Sequence, residues 1–100
     1  MTYHIKLNKL SKEDYNKLDG SQKKLIDKSL KKLELQGMQA GEWLHGSLSD
    51  CKKIKHTRAG LRVVFKESEN SIEIIDIITI GKRSNKEVYK ITEKRLKNDK

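Results

Sequence analysis

Apolar and polar residues alternate at the start of the chain. Tyr3, Ile5 and Leu7 are separated by His4 and Lys6, the period of two expected of a half-buried strand. The period then lengthens. Ser11-Lys12-Glu13-Asp14 reads as the capped start of a short helix that Gly20 closes near Leu18. Ser21 caps a second helix, in which Leu25, Ile26, Ser29, Leu30 and Leu33 share one face while Lys23, Lys24, Lys28, Lys31 and Lys32 point elsewhere. Gly37 supplies its C-terminal stop. The two helices form a hairpin whose apolar stripe packs on a sheet.

Residues 38–50 read as a loop rich in glycine and serine, anchored by Trp43, Leu44 and Leu48. Trp43 is taken as a packing anchor rather than a base-stacking platform. Three strands follow. Ile54 faces one side while Lys53 and Lys55 face the other. Thr57-Arg58-Ala59-Gly60 forms a four-residue turn with Gly60 at positive φ. Leu61, Val63 and Phe65 then alternate with Arg62, Val64 and Lys66. With that turn, His56 lies opposite Leu61 and Lys55 opposite Arg62, which gathers Lys53, Lys55 and Arg62 on one face. Ser68 to Ser71 make the next turn. Ile72 to Ile80 is almost continuously apolar, the mark of a central strand covered on both faces, and Gly81 ends it. Ser84-Asn85-Lys86-Glu87 caps a C-terminal helix that carries Tyr89. The predicted order is β-α-α-β-β-β-α: one small α+β domain over residues 1–100, its mostly antiparallel sheet carrying the helices on one side and the cations on the opposite face or the rim.

Charge sharpens this picture. The chain has 100 residues, 34% of them hydrophobic, and a formal net charge of +9. A modest core and a polyanionic partner follow: nucleic acid, an acidic protein or an anionic surface. Residues 52–66 hold Lys52, Lys53, Lys55, Arg58, Arg62 and Lys66 without one acidic residue, and Gly81-Lys82-Arg83 adds a second basic turn. Like charges across a strand pair cost stability, so their concentration needs a reason. No apolar run is long enough to span a membrane, no signal-peptide core opens the chain, and the single Cys51 has no partner for an internal disulfide. A cytoplasmic protein without a metal site is the expectation. Cys51 is read as a small packing residue and His56 as a polar strand-end residue. His4 and His45 receive no role.

In element order and length the chain resembles the RelE family of toxins from bacterial toxin–antitoxin pairs, within the RelE/ParE superfamily. The resemblance rests on Leu44-x-Gly46-x-Leu48, on Asp50 to Lys55, on Gly60 to Phe65, and on Gly81-Lys82-Arg83 through Glu87-Val88-Tyr89. It implies the RelE-like fold and a ribosome-dependent endoribonuclease that cuts messenger RNA without a metal or other cofactor. It also implies a cognate antitoxin as partner, contacts with 16S ribosomal RNA, and binding to operator DNA only through the antitoxin complex. The family's active-site residues fall on Lys53, Lys55, Arg62, Arg83 and Tyr89. Lys52, Arg58, Lys66 and Lys82 are expected to contact the RNA or ribosome.

Such cleavage needs the 2′-hydroxyl oriented at the adjacent phosphate, one proton removed, one supplied, and charge on phosphorus stabilised. Arg62 suits the last task, because guanidinium donors match phosphate geometry. Lys53 and Lys55 hold neighbouring phosphates, and one of them, or Tyr89, is the general base. Arg83 stabilises the leaving 5′-oxygen or assists proton delivery. Tyr89 alternatively stacks on a base or simply packs on the sheet. Two other readings stay open: a ParE-like inhibitor of DNA gyrase on the same fold, and a basic RNA-binding module without catalysis.

Overall fold

A computed structural model describes residues 2–82 and 87–98. Strand β1 (His4–Leu7) leads into helices α1 (Lys9–Asn16) and α2 (Gly20–Gln36). Strands β2 (Glu42–Trp43), β3 (Cys51–His56), β4 (Leu61–Glu67) and β5 (Ile74–Lys82) follow, and helix α3 (Glu87–Asn98) closes the order. The five strands form one sheet in the order β1-β5-β4-β3-β2, with β1 parallel to β5 and the other pairs antiparallel. The α+β architecture with a helical hairpin on one face is the one predicted.

The hairpin face holds the larger core. Ile26 and Leu33 of α2 pack with Ile54, Leu61, Val63, Phe65, Ile75, Ile77 and Ile80 from the sheet. Central strand β5 is covered on both faces, as its apolar run predicts, with Ile75, Ile77, Ile78, Thr79 and Ile80 all buried. Its register against β4 slips between Val64 and Phe65, where Val64 faces Thr79 but Phe65 faces Ile77. This bulge lets Ile77 and Ile80, three residues apart, reach the same core.

Several boundaries depart from expectation. Helix α1 starts earlier, at Lys9, because Asn8 is its cap: the Asn8 side chain accepts from the Ser11 amide and Ser11 Oγ accepts from the Asn8 amide. Ser11 thus closes the capping box from inside the helix. In α2 the cap is Asp19 rather than Ser21, with Gln22 completing the box, and Gly20 opens this helix instead of ending the previous one. Strand β5 begins two residues late, since Ser71 accepts from the Glu73 amide and holds a turn that leaves Ile72 exposed. It continues through Gly81 to Lys82, which pair with Arg62 and Leu61. The expected loop over 38–50 contains strand β2 and two short 3-10 turns. Leu44 and Leu48 are buried as anchors, but Trp43 is 55% exposed.

The helices also divide between the faces instead of sharing one. Val88, Tyr89 and Leu96 of α3 pack on Leu44, Leu48, Cys51 and Val64, the face opposite the hairpin. Thr92 Oγ1 donates to Thr79 Oγ1 at 2.8 Å there. Arg95 clamps the helix end: it grips Asp14 of α1 at 2.6 and 3.0 Å and donates to the Ile78 carbonyl at 2.8 Å. Asp14 in turn accepts the Ile80 amide. One ion pair thereby ties α1, α3 and β5 together.

Candidate active site

The turn over residues 57–60 sets the site. Gly60 has φ +67°, and its amide donates to the Thr57 carbonyl. From this turn the register runs His56 opposite Leu61, Lys55 opposite Arg62 and Lys53 opposite Val64, as the sequence predicts. Directly paired residues share a face, so Lys53, Lys55 and Arg62 rise together on the α3 side of the sheet.

Each cation has a different setting. Lys53 Nζ donates to the Tyr89 hydroxyl at 3.2 Å. The ring centroid is 5.5 Å away, so the ammonium meets the phenol oxygen rather than the ring face. Tyr89 is half-buried, and its ring packs with the smaller core while its hydroxyl reaches the lysine. Lys55 Nζ lies 2.9 Å from Glu42 Oε1 on the edge strand. Arg62 is only 6% exposed. Its Nη1 donates to its neighbour's carbonyl, at Leu61, and its Nε is buried with no partner. A buried guanidinium donor left unmade is costly, and an anion arriving on this face would satisfy it. Gly81 lies opposite Arg62 and places no side chain over it.

Glu42 was not among the residues expected here. It pairs in register with Lys53 and so shares the cation face. Its carboxyl is held below the usual carboxylate range, chiefly by the hydrogen bond from Lys55, with the charges of Lys55, Lys53 and Arg62 adding to this. The only sequence signal was slight: Trp43-Leu44 between Gly41 and Gly46, too short to read as a strand.

The flanking cations are dispersed. Lys52 falls on the hairpin face, buried to 6% exposure, with Nζ donating to the Met38 carbonyl at 2.6 Å and lying 4.9 Å from the Trp43 ring. This corrects its expected place in an RNA-contacting surface, because its odd-numbered neighbours alone point to the cation face. Lys66 is opposite Cys51 at the far end of β4, 3.7 Å from Glu69. Arg58 in the turn and Lys82 at the end of β5 are exposed. Arg83 lies outside the described residues, as does most of the capping sequence before α3.

His56 faces the hairpin core and contacts Ser29 Oγ of α2. Burial lowers its pKa, assisted by the charges of Arg62 and Lys28. Cys51 is wholly buried, and that burial raises its thiol pKa. Among the described residues, no group of three His, Cys, Asp or Glu side chains is placed to hold a metal ion, and no helix is long and apolar enough to cross a membrane.

The arrangement therefore offers a phosphate-sized set of donors beside a phenol, on a small α+β scaffold. Comparison with known proteins places that scaffold. No family model matches the chain. It is 29% identical over 97 residues to the mRNA interferase toxin RelE of Escherichia coli K12, an alignment that covers 96% of this chain and 99% of that protein. A second Escherichia coli protein, named as RelE-like, is also 29% identical and is matched over its full length. Among solved structures, a mutant E. coli toxin RelE in the free state superposes with a TM-score of 0.78 at 25% identity, covering 96% of this chain and 99% of that one. In sequence and in fold the chain is similar to RelE toxins. The isolated E. coli RelE toxin matches too, with a TM-score of 0.71 over 94% of this chain and 98% of its own. The intact E. coli RelBE toxin–antitoxin complex shares the fold, with a TM-score of 0.65 at 22% identity over 80% of this chain and 95% of the matched one.

Proposed function

We propose that this chain is the toxin of a type II toxin–antitoxin pair and cuts messenger RNA on the translating ribosome. The observation that carries the reading is the convergence of Lys53, Lys55 and Arg62 on one face, beside the Tyr89 hydroxyl, with an Arg62 Nε that is buried and unpartnered. Its relative in Escherichia coli K12 is named an mRNA interferase toxin. A 2′-oxygen attacks the adjacent phosphorus, the bond from phosphorus to the 5′-oxygen breaks, and a 2′,3′-cyclic phosphate and a 5′-hydroxyl result. The 2′-hydroxyl proton passes to one of Lys53, Lys55 and Tyr89 as general base. Arg62 stabilises charge on the phosphoryl oxygens. Arg83, on the strength of the family resemblance, stabilises the leaving 5′-oxygen or assists proton delivery to it.

Solved relatives include RelE bound to its antitoxin. We infer a cognate antitoxin here as well, with acidic segments that cover the basic face and a separate part that reaches operator DNA. Contact with ribosomal RNA would draw on the exposed Arg58 and Lys82, and with translating ribosomes as target the protein acts in the cytoplasm. The test is direct. Purified protein is added to a translation reaction and mRNA 5′ ends are mapped; cuts within codons are expected, and none with the double variant Arg62→Ala, Arg83→Ala. Arrested translation over intact message would overturn the reading.

A further inference from the structure

Glu42 has no place in the chemistry above, yet the fold sets it with care. Gly41 precedes it at φ +79°, and a side-chain carbon there would come within 2.4 Å of the Lys53 carbonyl oxygen. The backbone therefore runs tight against β3 at this point, and the next residue's carboxylate is delivered over the cation face. It meets Lys55 at 2.9 Å and lies in the field of Lys53 and Arg62, and Lys53 in turn donates to the Tyr89 hydroxyl. A carboxylate offers these donors what a phosphate offers: negative oxygens in a compact group. Its depressed pKa makes it a poor proton acceptor, so general base catalysis is the wrong role for it. The pair is also open to water, Lys55 being 40% and Glu42 56% exposed, so the bond is weak and easily exchanged.

We propose that Glu42 is a built-in competitor of the substrate, which occupies Lys55 in the free protein and yields it to an incoming RNA phosphate. The site's affinity for RNA is thereby held below what its cations alone would give. The inference deepens the mRNA-cleaving reading and rests on it for the identity of the substrate.

Binding and turnover separate the possibilities. A short 2′-O-methylated oligoribonucleotide, which cannot be cut, is titrated against wild type and Glu42→Gln by fluorescence anisotropy over a range of salt and pH. Loss of one exposed competing ion pair should tighten binding about two- to fivefold at low salt. The salt dependence should steepen by up to about 0.7 in log–log slope. Displacement from Lys55 beside a phosphate raises the Glu42 pKa, so wild-type binding takes up a proton and strengthens as pH falls through the carboxylate range. Glu42→Gln should lose that pH dependence, Glu42→Asp should keep it, and the effect of Glu42→Gln should vanish in a Lys55→Gln background. In translation reactions the change should fall on KM rather than kcat. A collapsed kcat with unaltered affinity would make Glu42 a proton-handling group and overturn the proposal. Unaltered affinity and kcat would reduce it to an incidental surface pair and overturn it equally. Should Glu42→Gln fold poorly by thermal melt, the pH dependence of wild type and Glu42→Asp decides alone, and its absence overturns the proposal. If wild type leaves mRNA intact while Glu42→Gln still binds RNA more tightly, cleavage fails as the function and the competitor role stands.

Discussion

Arg62 combines near-complete burial with an Nε that has no partner. A fold does not hold a guanidinium this way for its own stability, since burying a charge that is not fully satisfied costs more than it returns. Arg62→Ala should therefore lower mRNA cleavage by about a hundredfold or more while the melting temperature is kept or raised. Arg62→Lys should rescue little, because a point charge cannot reproduce the planar fork; both are read from primer-extension rates and thermal melts. His56 gives a second prediction. Its folded pKa lies below its unfolded value, so the unfolded chain binds the extra proton between the two. Stability should then be full above pH ~6.5 and decline as pH falls below it, and His56→Gln should flatten that limb in urea titrations. At this scale the cation register was legible in the sequence because a glycine turn and alternating residues fix it. Glu42 was not legible, since its position depends on where Gly41 brings a two-residue edge strand, and nothing local to those residues states that.

Among the elements, the last helix is the one whose placement matters most for the site. It was legible as a helix, from the capping sequence Ser84-Asn85-Lys86-Glu87, but not as the cover of the cation face. An amphipathic pattern says that a helix must dock, and only its partners say where. Those partners include Asp14, which is sixty-six residues from Ile80 and eighty-one from Arg95 in sequence. The Asp14–Arg95 pair is 14% and 16% exposed, and its bidentate geometry places it among ion pairs whose rupture leaves a stranded charge. Asp14→Ala should cost about 3 kcal/mol in urea unfolding, and neutralising Arg95 as well, as Arg95→Met, should recover part of it. The same variant should speed thiol labelling of Cys51, which packs in the cluster under this helix, and should lower cleavage by loosening Tyr89 from Lys53. The helix starts were read one cap too late: Ser11 and Ser21 do take part in capping, but Asn8 and Asp19, earlier in the chain, accept the Ser11 and Gln22 amides and open the helices there.

The whole molecule is built so that its two sheet faces do different work. The hairpin face holds most of the core, and the other face shares a small core with the cations, which is why 34% hydrophobic residues suffice. With a net charge of +9, RNA binding should weaken steeply with salt, and wild-type affinity measured from low to physiological ionic strength should fall log-linearly. The sheet order carries a consequence for how the protein comes into being. Strand β1 finds its place only beside β5, and Tyr89 belongs to the helix that follows β5. Synthesis therefore delivers the lysines and Arg62 well before the phenol that completes their site. Pairings of such long sequence separation also form slowly. A chain still being made therefore presents its cations before the Tyr89 hydroxyl can join Lys53.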